Sequence, residues 1–559
     1  MEFKDYKYER VDFEKAAAEA SLLIKQAAQA TDMTAFDEAF LGFNRLYAHI
    51  YTQYTLCEIR HSGNTLDEFY KQEQEYYDTN MPAFLPYMNA AFEAVLSSPI
   101  KEQIASKYGT HLFTIAQFQL KSFSPEIIPQ IQEENRLSNE YQDIMASSLI
   151  DFEGRHLNLA ELMKYIQSET DRDLRKRACI RFDAFLKEKE PVLDDLFDRL
   201  VKVRTEMGRK MGYADYIPLG YLRMNRYDYT RQDVERFRKQ VEEVLVPVCS
   251  RLREKQAERL GIDKLRFYDN WTYFPDGNAV PHGDEDKLVE EALRMYSELS
   301  EETKEYFEFM VEHKLLDLTT RKGKAMGGYC TYIPEYRSPF IFSNFNGTSG
   351  DVNVLTHEAG HGFNAFCCRD FDVPLLIQAT LETAEIHSTA MEFFTHKYMD
   401  RFFGSESEKY CTEHLEDTLE MIPYEIVVDA FQHEIYARPE MTPDERKTVW
   451  RALEKKYLPH IDYDGCEELE KGTYWYRQLH IFMDPFYYID YALASCGALE
   501  YYGWMLRNRD EAWASYCRLC RLGGKLPYQS ALKEVGLHSP FEEGSLEYII
   551  GPLMPQLGL

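Results

Sequence analysis

Residues 346–366 read NGTSGDVNVLTHEAGHGFNAF, and within them THEAGHGF, 356–363, carries the pattern His-Glu-x-x-His at His357, Glu358 and His361. Thr348 and Ser349 are candidate caps, Asp351 falls in the first turn, and Val354, Leu355, Ala359 and Phe363 supply apolar positions, so the stretch is predicted to be a helix. Residues four apart lie one turn apart on the same helix face, which lets His357 and His361 aim both imidazoles at one ion. Glu358 then lies beside that ion, where it can hold and deprotonate a water; zinc in an open site lowers the pKa of its water to about 7. Gly360 and Gly362 each weaken a helix by ~1 kcal/mol relative to Ala. Their missing side chains make room for a close neighbour beside the metal.

With 15 histidines in 559 residues, a chance match to this spacing is expected well under once per chain. A bare match can still be a surface helix, so a third ligand is required. A third histidine six residues after His361 is absent, because that position is Cys367. The alternative is a carboxylate from a second helix. LETAEIHSTAMEFFTHK, 381–397, is strongly helical and offers Glu382, Glu385 and Glu392. Glu385 and Glu392 are seven apart and share a face, so one can ligate while the other supports a ligand histidine from behind. His387 lies about 200° round from Glu385 and is predicted to point elsewhere. Spacing alone leaves Glu382 and Glu385 both open. His433-Glu434 has Ala437 where a second histidine would stand and reads as structural.

Upstream, GGYCTYIPEYRSPFIFSNFNGTSG, 327–350, alternates β-branched and aromatic residues around a proline turn and reads as a strand pair. FYDNWTYFPDGNAVPHG, 267–283, is rich in turn formers and reads as a loop. The first 250 or so residues are helix after helix, as in DFEKAAAEASLLIKQAAQA, 12–30. The coarse picture is a mainly α protein with a small β-sheet. Its length exceeds what one hydrophobic core usually spans. The expected division is an N-terminal helical lobe, residues 1–180, and a catalytic region, residues 181–559.

The balance of 64 basic against 94 acidic residues, a net charge of −30, makes nucleic acid and anionic membrane surfaces poor partners. The charged N-terminal stretch MEFKDYKYERVDFEKAAAEA has no apolar core of a signal peptide, and no stretch approaches the ~20 apolar residues of a membrane span. Eleven cysteines, an odd number, fit free thiols in a reducing compartment better than a disulfide framework, so the cytoplasm is the expected location. Cys517-x-x-Cys520 has no second pair and reads as one face of a packed helix.

FSNFNGTSGDVNVLTHEAGHGF (342–363), AEIHSTAME (384–392) and HIFMDPFYYIDYALA (480–494) together resemble the thimet-oligopeptidase and oligoendopeptidase F family of zinc metallopeptidases. FQHEIYARPEMTPDERKTVW (431–450) and LHSPFEEGSL (537–546) are similar to the oligoendopeptidase F and Pz-peptidase branch. The resemblance is specific from about residue 320 to the end. It implies one zinc per chain held by His357, His361 and Glu385, with Glu392 in support, which decides between Glu385 and Glu382. It implies that a substrate backbone pairs along the strand Phe340–Phe345, with Phe342, Asn344 and Phe345 as substrate-binding residues. It also implies that His480 and the Tyr488–Tyr491 pair stabilise the oxyanion, with Tyr487 as the competing choice for Tyr488. The implied fold is a two-lobed helical bowl or clam with the zinc deep in a central channel, open to short, unstructured oligopeptides.

The expected activity is therefore a zinc-dependent endopeptidase in which Glu358 activates the attacking water. Two alternatives stand beside it. A carboxypeptidase or dipeptidyl-carboxypeptidase needs a basic residue near the metal, for which Arg337 and Arg507 are candidates. A non-catalytic peptide-binding protein on the same shell has no need of Glu358.

Overall fold

Helices begin where the sequence supplies both an apolar stripe and a capping carboxylate. In the computed structural model, which describes residues 1–559, the first long helix is α1 (Phe13–Gln29), capped by Asp12 accepting from the Lys15 N–H. α2 (Met33–Gly63) and α3 (Glu68–Ser97) follow, opened in the same way by Asp32 and Asp67. Their apolar faces form two small cores, one around Phe36, Phe40 and Val95 and one around Ile50, Tyr77 and Phe84.

Most of the buried residues from Ile127 onward feed one large core, which Tyr6, Leu56 and Ile59 also join. The hairpin β1 (Ile150–Phe152) and β2 (Arg155–Leu157) turns through Glu153 and Gly154, both at positive φ. The long helix α4 (Arg172–Lys210) then runs unbroken across the division expected at 180/181. This corrects that expectation. The helix packs along its length into the large core, and the two small cores draw all their residues except Val373 and Leu376 from before Ile127.

The strand pair predicted around the proline turn is present as β4 (Tyr329–Ile333) and β5 (Ser338–Phe345), antiparallel across Pro334–Tyr336. A strand too short to read in the sequence, β3 (Leu316–Thr319), joins β5 in parallel, so the sheet order is β3-β5-β4. β5 is therefore the central strand, which explains its near-continuous apolar character.

The sheet leads directly into α5 (Ser349–Cys367). Thr348 is the N-cap residue, but its side chain makes no capping bond. Asp351 reaches back instead and accepts from the backbone N–H groups of Asn346 and Gly347 at 2.9 and 2.7 Å. α6 (Leu381–Thr395) is buried on nearly every side, its three glutamates and His387 included. It lies between α5 and α8 (Ile489–Arg507), and α7 (Ser407–Ala437) packs against α8. The predominance of helix with small sheets agrees with the sequence reading. No helix is long and apolar enough to cross a membrane.

Candidate metal centre and active site

The crossing of α5 and α6 is set by a missing side chain. A Cβ on Gly360 would lie 2.4 Å from the His387 carbonyl oxygen and 2.6 Å from the Ser388 Cα, so only glycine lets the two backbones meet here. About 200° round α5, on its other side, a Cβ on Gly362 would fall on the Tyr306 hydroxyl. Both glycines make the close approach that their helix-weakening presence suggested.

That approach brings Glu385 of α6 against the two histidines of α5. Its Oε2 is 3.3 Å from His357 Nε2 and 3.5 Å from His361 Nε2. One ligand atom from each of the three residues lies within 4.8 Å of the others, and no other cluster of histidine, cysteine or acidic groups in the chain does the same. Glu382, the competing carboxylate, does not join the cluster and accepts instead from the buried Tyr229 hydroxyl. His387 does not join the cluster.

The supporting groups are equally specific. His357 Nδ1 is 2.7 Å from Glu392 Oε1. Glu385 accepts from Tyr487 Oη at 2.7 Å and from Ser388 Oγ at 3.2 Å. Burial pushes the Glu385 carboxyl up, but hydrogen bonds and charge from His357 and His361 overcome it and hold the group well below its usual range. Glu358 is 8% exposed and has no hydrogen-bonding partner in the protein; burial is the main cause that raises its pKa. Two imidazoles and one carboxylate are the donor set of an open catalytic zinc site, and the residues present fit such an ion.

The later segment lies across from the ligands. His480 sits between three tyrosine rings, 5.4 Å from Tyr487, 5.0 Å from Tyr488 and 5.9 Å from Tyr491 by centroid. His480 Nδ1 is 3.2 Å from the Gln478 side-chain amide nitrogen, which donates to it and leaves Nε2 as the ring's donor. Tyr491 is close enough to Glu385 for that charge to raise its pKa, after burial, whereas Tyr488 responds to Glu425 and Arg477 instead. Tyr487 is the one tyrosine of the segment that touches a ligand, a contact the spacing of tyrosines in the sequence could not single out.

Backbone clamps hold this segment in place. Arg204 Nη2 donates to the Phe482 carbonyl at 2.5 Å, Arg226 donates to the Phe486 carbonyl, and Gln432 Oε1 accepts from the Phe486 N–H at 2.9 Å. Phe486 itself has φ of 72°, a left-handed conformation costing on the order of 1–3 kcal/mol for a non-glycine residue. The clamps and the burial of its ring offset that strain.

The substrate strand needs correction. β5 pairs with β3 at Ile341, Phe342 and Phe345 on one side and with β4 from Ser338 to Phe342 on the other, so the middle of the strand has no free edge for a peptide. Phe342 is fully buried with its ring stacked on Tyr329 at 4.9 Å, and the Asn344 side-chain amide donates to the carbonyls of Ala325 and Gly327 at 2.8 and 2.9 Å. Phe345 closes the strand, its carbonyl taken by the Thr320 hydroxyl. The edge strands are β3 and β4, and of these β4 packs against α5.

Neither basic candidate for a substrate carboxylate stands at the ion site. Arg337 pairs with Asp370 and donates to the Arg369 carbonyl, beyond the far end of α5 and roughly 12 Å along its axis from His361. Arg507 ends α8, roughly 24 Å along the axis from Tyr491. All 11 cysteines are free, including Cys517 and Cys520 on the helix Arg509–Leu522.

A family model described as "Peptidase family M3" matches residues 165–549, and one described as "Peptidase M3 N-terminal domain" matches residues 3–123. The chain is similar to a solved Pz peptidase A with inhibitor, at 44% identity and a TM-score of 0.95, covering 100% of this chain and 99% of that one. A provisionally assigned oligoendopeptidase F gives 44% identity and a TM-score of 0.96 over 100% and 99% of the two chains. A second, from Bacillus anthracis strain Ames, gives 41% and 0.91 over 100% and 98%. No curated protein matches the chain.

Proposed function

The chain belongs to peptidase family M3 and is a metalloendopeptidase; from that premise we propose that its ion is zinc, held by His357, His361 and Glu385, and that it cuts short, unstructured oligopeptides. The observation that carries this reading is the convergence of three ligand atoms within 4.8 Å beside an unpartnered Glu358.

Zinc at such a site supplies Lewis-acid polarisation of the scissile carbonyl and a lowered pKa for water. Glu358 takes the proton from the attacking water and delivers it to the leaving amine, the two halves of general acid–base catalysis by one carboxylate. Glu392 keeps the proton of His357 on Nδ1, so that Nε2 offers its lone pair to the ion. His480, Tyr491 and Tyr488 are the proposed oxyanion donors. Tyr491 comes first of the two tyrosines, because its hydroxyl is the one near Glu385. Tyr487 holds Glu385 in position. An extended peptide adds to the free edge of β4, where main-chain hydrogen bonds give affinity with little dependence on sequence. Eleven unpaired thiols suit a reducing compartment, and the cytoplasm is the proposed location.

Quenched-fluorescence peptides with free and amidated C-termini test the reading together. Cleavage of both sets, abolished by a chelator and restored by zinc, is the expected result. Indifference to chelation contradicts a metal mechanism, and loss of cleavage on amidation points to a carboxypeptidase.

A further inference from the structure

The Glu392 carboxylate that supports His357 is itself held from behind. Its Oε1 is 2.7 Å from His357 Nδ1 and its Oε2 is 2.6 Å from His414 Nε2, on α7. His414 Nδ1 is in turn 2.8 Å from His396 Nε2, just past the end of α6. His396 Nδ1 is buried with no partner. Phe393, Tyr410 and Tyr502 wall the two rings.

Elementary bookkeeping of protons orders this row. An ionised carboxylate only accepts, so both nitrogens facing Glu392 carry hydrogen. A neutral His357 with hydrogen on Nδ1 has a bare Nε2, the form a metal ligand requires. His414 with hydrogen on Nε2 has a bare Nδ1, which must accept from His396. That leaves His396 Nδ1 bare, at the buried end of the row. The reverse polarity needs a buried histidine cation and strands an N–H at His396 Nδ1 with no acceptor, the costlier arrangement.

We propose that His414 and His396 are positioning residues, a one-way hydrogen-bond relay from the buried rim to Glu392 that fixes the tautomer and ring plane of His357 and thereby sets metal affinity. The proposal rests on the zinc reading above, and its test separates the two. Zinc affinity of the apo-protein is measured by competition with a chromophoric chelator for the wild type and for His414→Leu, His414→Gln and His396→Leu. Tight binding by the wild type tests the zinc reading; the ratios among variants test the relay. Loss of a partner at this depth typically costs 10–100-fold in metal affinity. His414→Leu is expected at about 10-fold, near the low end, because it acts through Glu392, and His396→Leu lower still at about threefold. His414→Gln, whose amide nitrogen replaces the Nε2 donor, should recover most of the loss. A leucine variant that binds zinc like the wild type, or a glutamine variant as weak as leucine, overturns the relay. Should the leucine variants fail to fold, ring 15N spectra of the zinc-loaded wild type decide, with His414 and His396 both expected as Nε2–H tautomers; hydrogen on Nδ1 of either overturns it.

Discussion

On one wall of the site the proposed ligands stand on regular helices. His357 and His361 come from α5, Glu385 and Glu392 come from α6, and a single glycine, Gly360, governs how closely the two helices meet. On the facing wall His480 and the tyrosines ride a short irregular segment that contains a phenylalanine at positive φ and is pinned by Arg204, Arg226 and Gln432. Where helical periodicity places a side chain, four- and seven-residue spacings state which residues converge. Where tertiary clamps place it, spacing states only that donors are nearby.

The sharpest way to break the comparison is to remove a ligand. Glu385→Ala should weaken zinc binding by more than the ~100-fold ceiling typical of a supporting partner, with turnover falling alongside, as metal titration and peptide cleavage will read. On the facing wall the two effects should separate. Tyr491→Phe is expected to lower kcat by about 10²–10³-fold, the usual weight of one oxyanion donor, while zinc affinity stays unchanged. A larger loss in Tyr488→Phe than in Tyr491→Phe would reverse the order proposed here.

Gly360→Ala probes the crossing itself. Its Cβ has no room beside the His387 carbonyl, so the helices must part, costing about 1–3 kcal/mol of stability by denaturant titration and loosening zinc. The smallest expected effect lies behind the ligand wall on α7. Burial, with Asp417 adding to it, raises Glu413 from 4.5 to about 8. A carboxyl raised in the fold contributes its full stability below its unfolded pKa and loses it as pH climbs through the folded value. Glu413→Gln lacks that loss, so its melting temperature should gain on the wild type between pH 5 and 9, as scanned in that window. Parallel curves would mean that Glu413 is not held protonated.

Much of this was legible before any coordinates. The helix of residues 349–367, the helical 381–395 and the β4–β5 pair follow from periodicity, and two histidines a turn apart are unambiguous wherever the helix lies. The choice of Glu385 over Glu382 was not legible from spacing, because both lie on the same helix and only the crossing angle shows which one faces α5. β5 reads as a strand, but its two neighbours do not follow from its own residues, and a four-residue strand such as β3 leaves no periodic signal. Hence the strand order, and with it which strand lies at an edge, is not legible from β5 alone. His396 and His414 carry no signal at all; they meet only because the end of α6 abuts α7.

Glu358→Gln tests the central claim most directly, because it leaves the ligands, the crossing and the clamps in place and removes only the base. Zinc content and turnover are measured on the same sample. One zinc per chain with nearly all turnover lost is the predicted result; substantial turnover with the zinc retained would show that another group moves the proton.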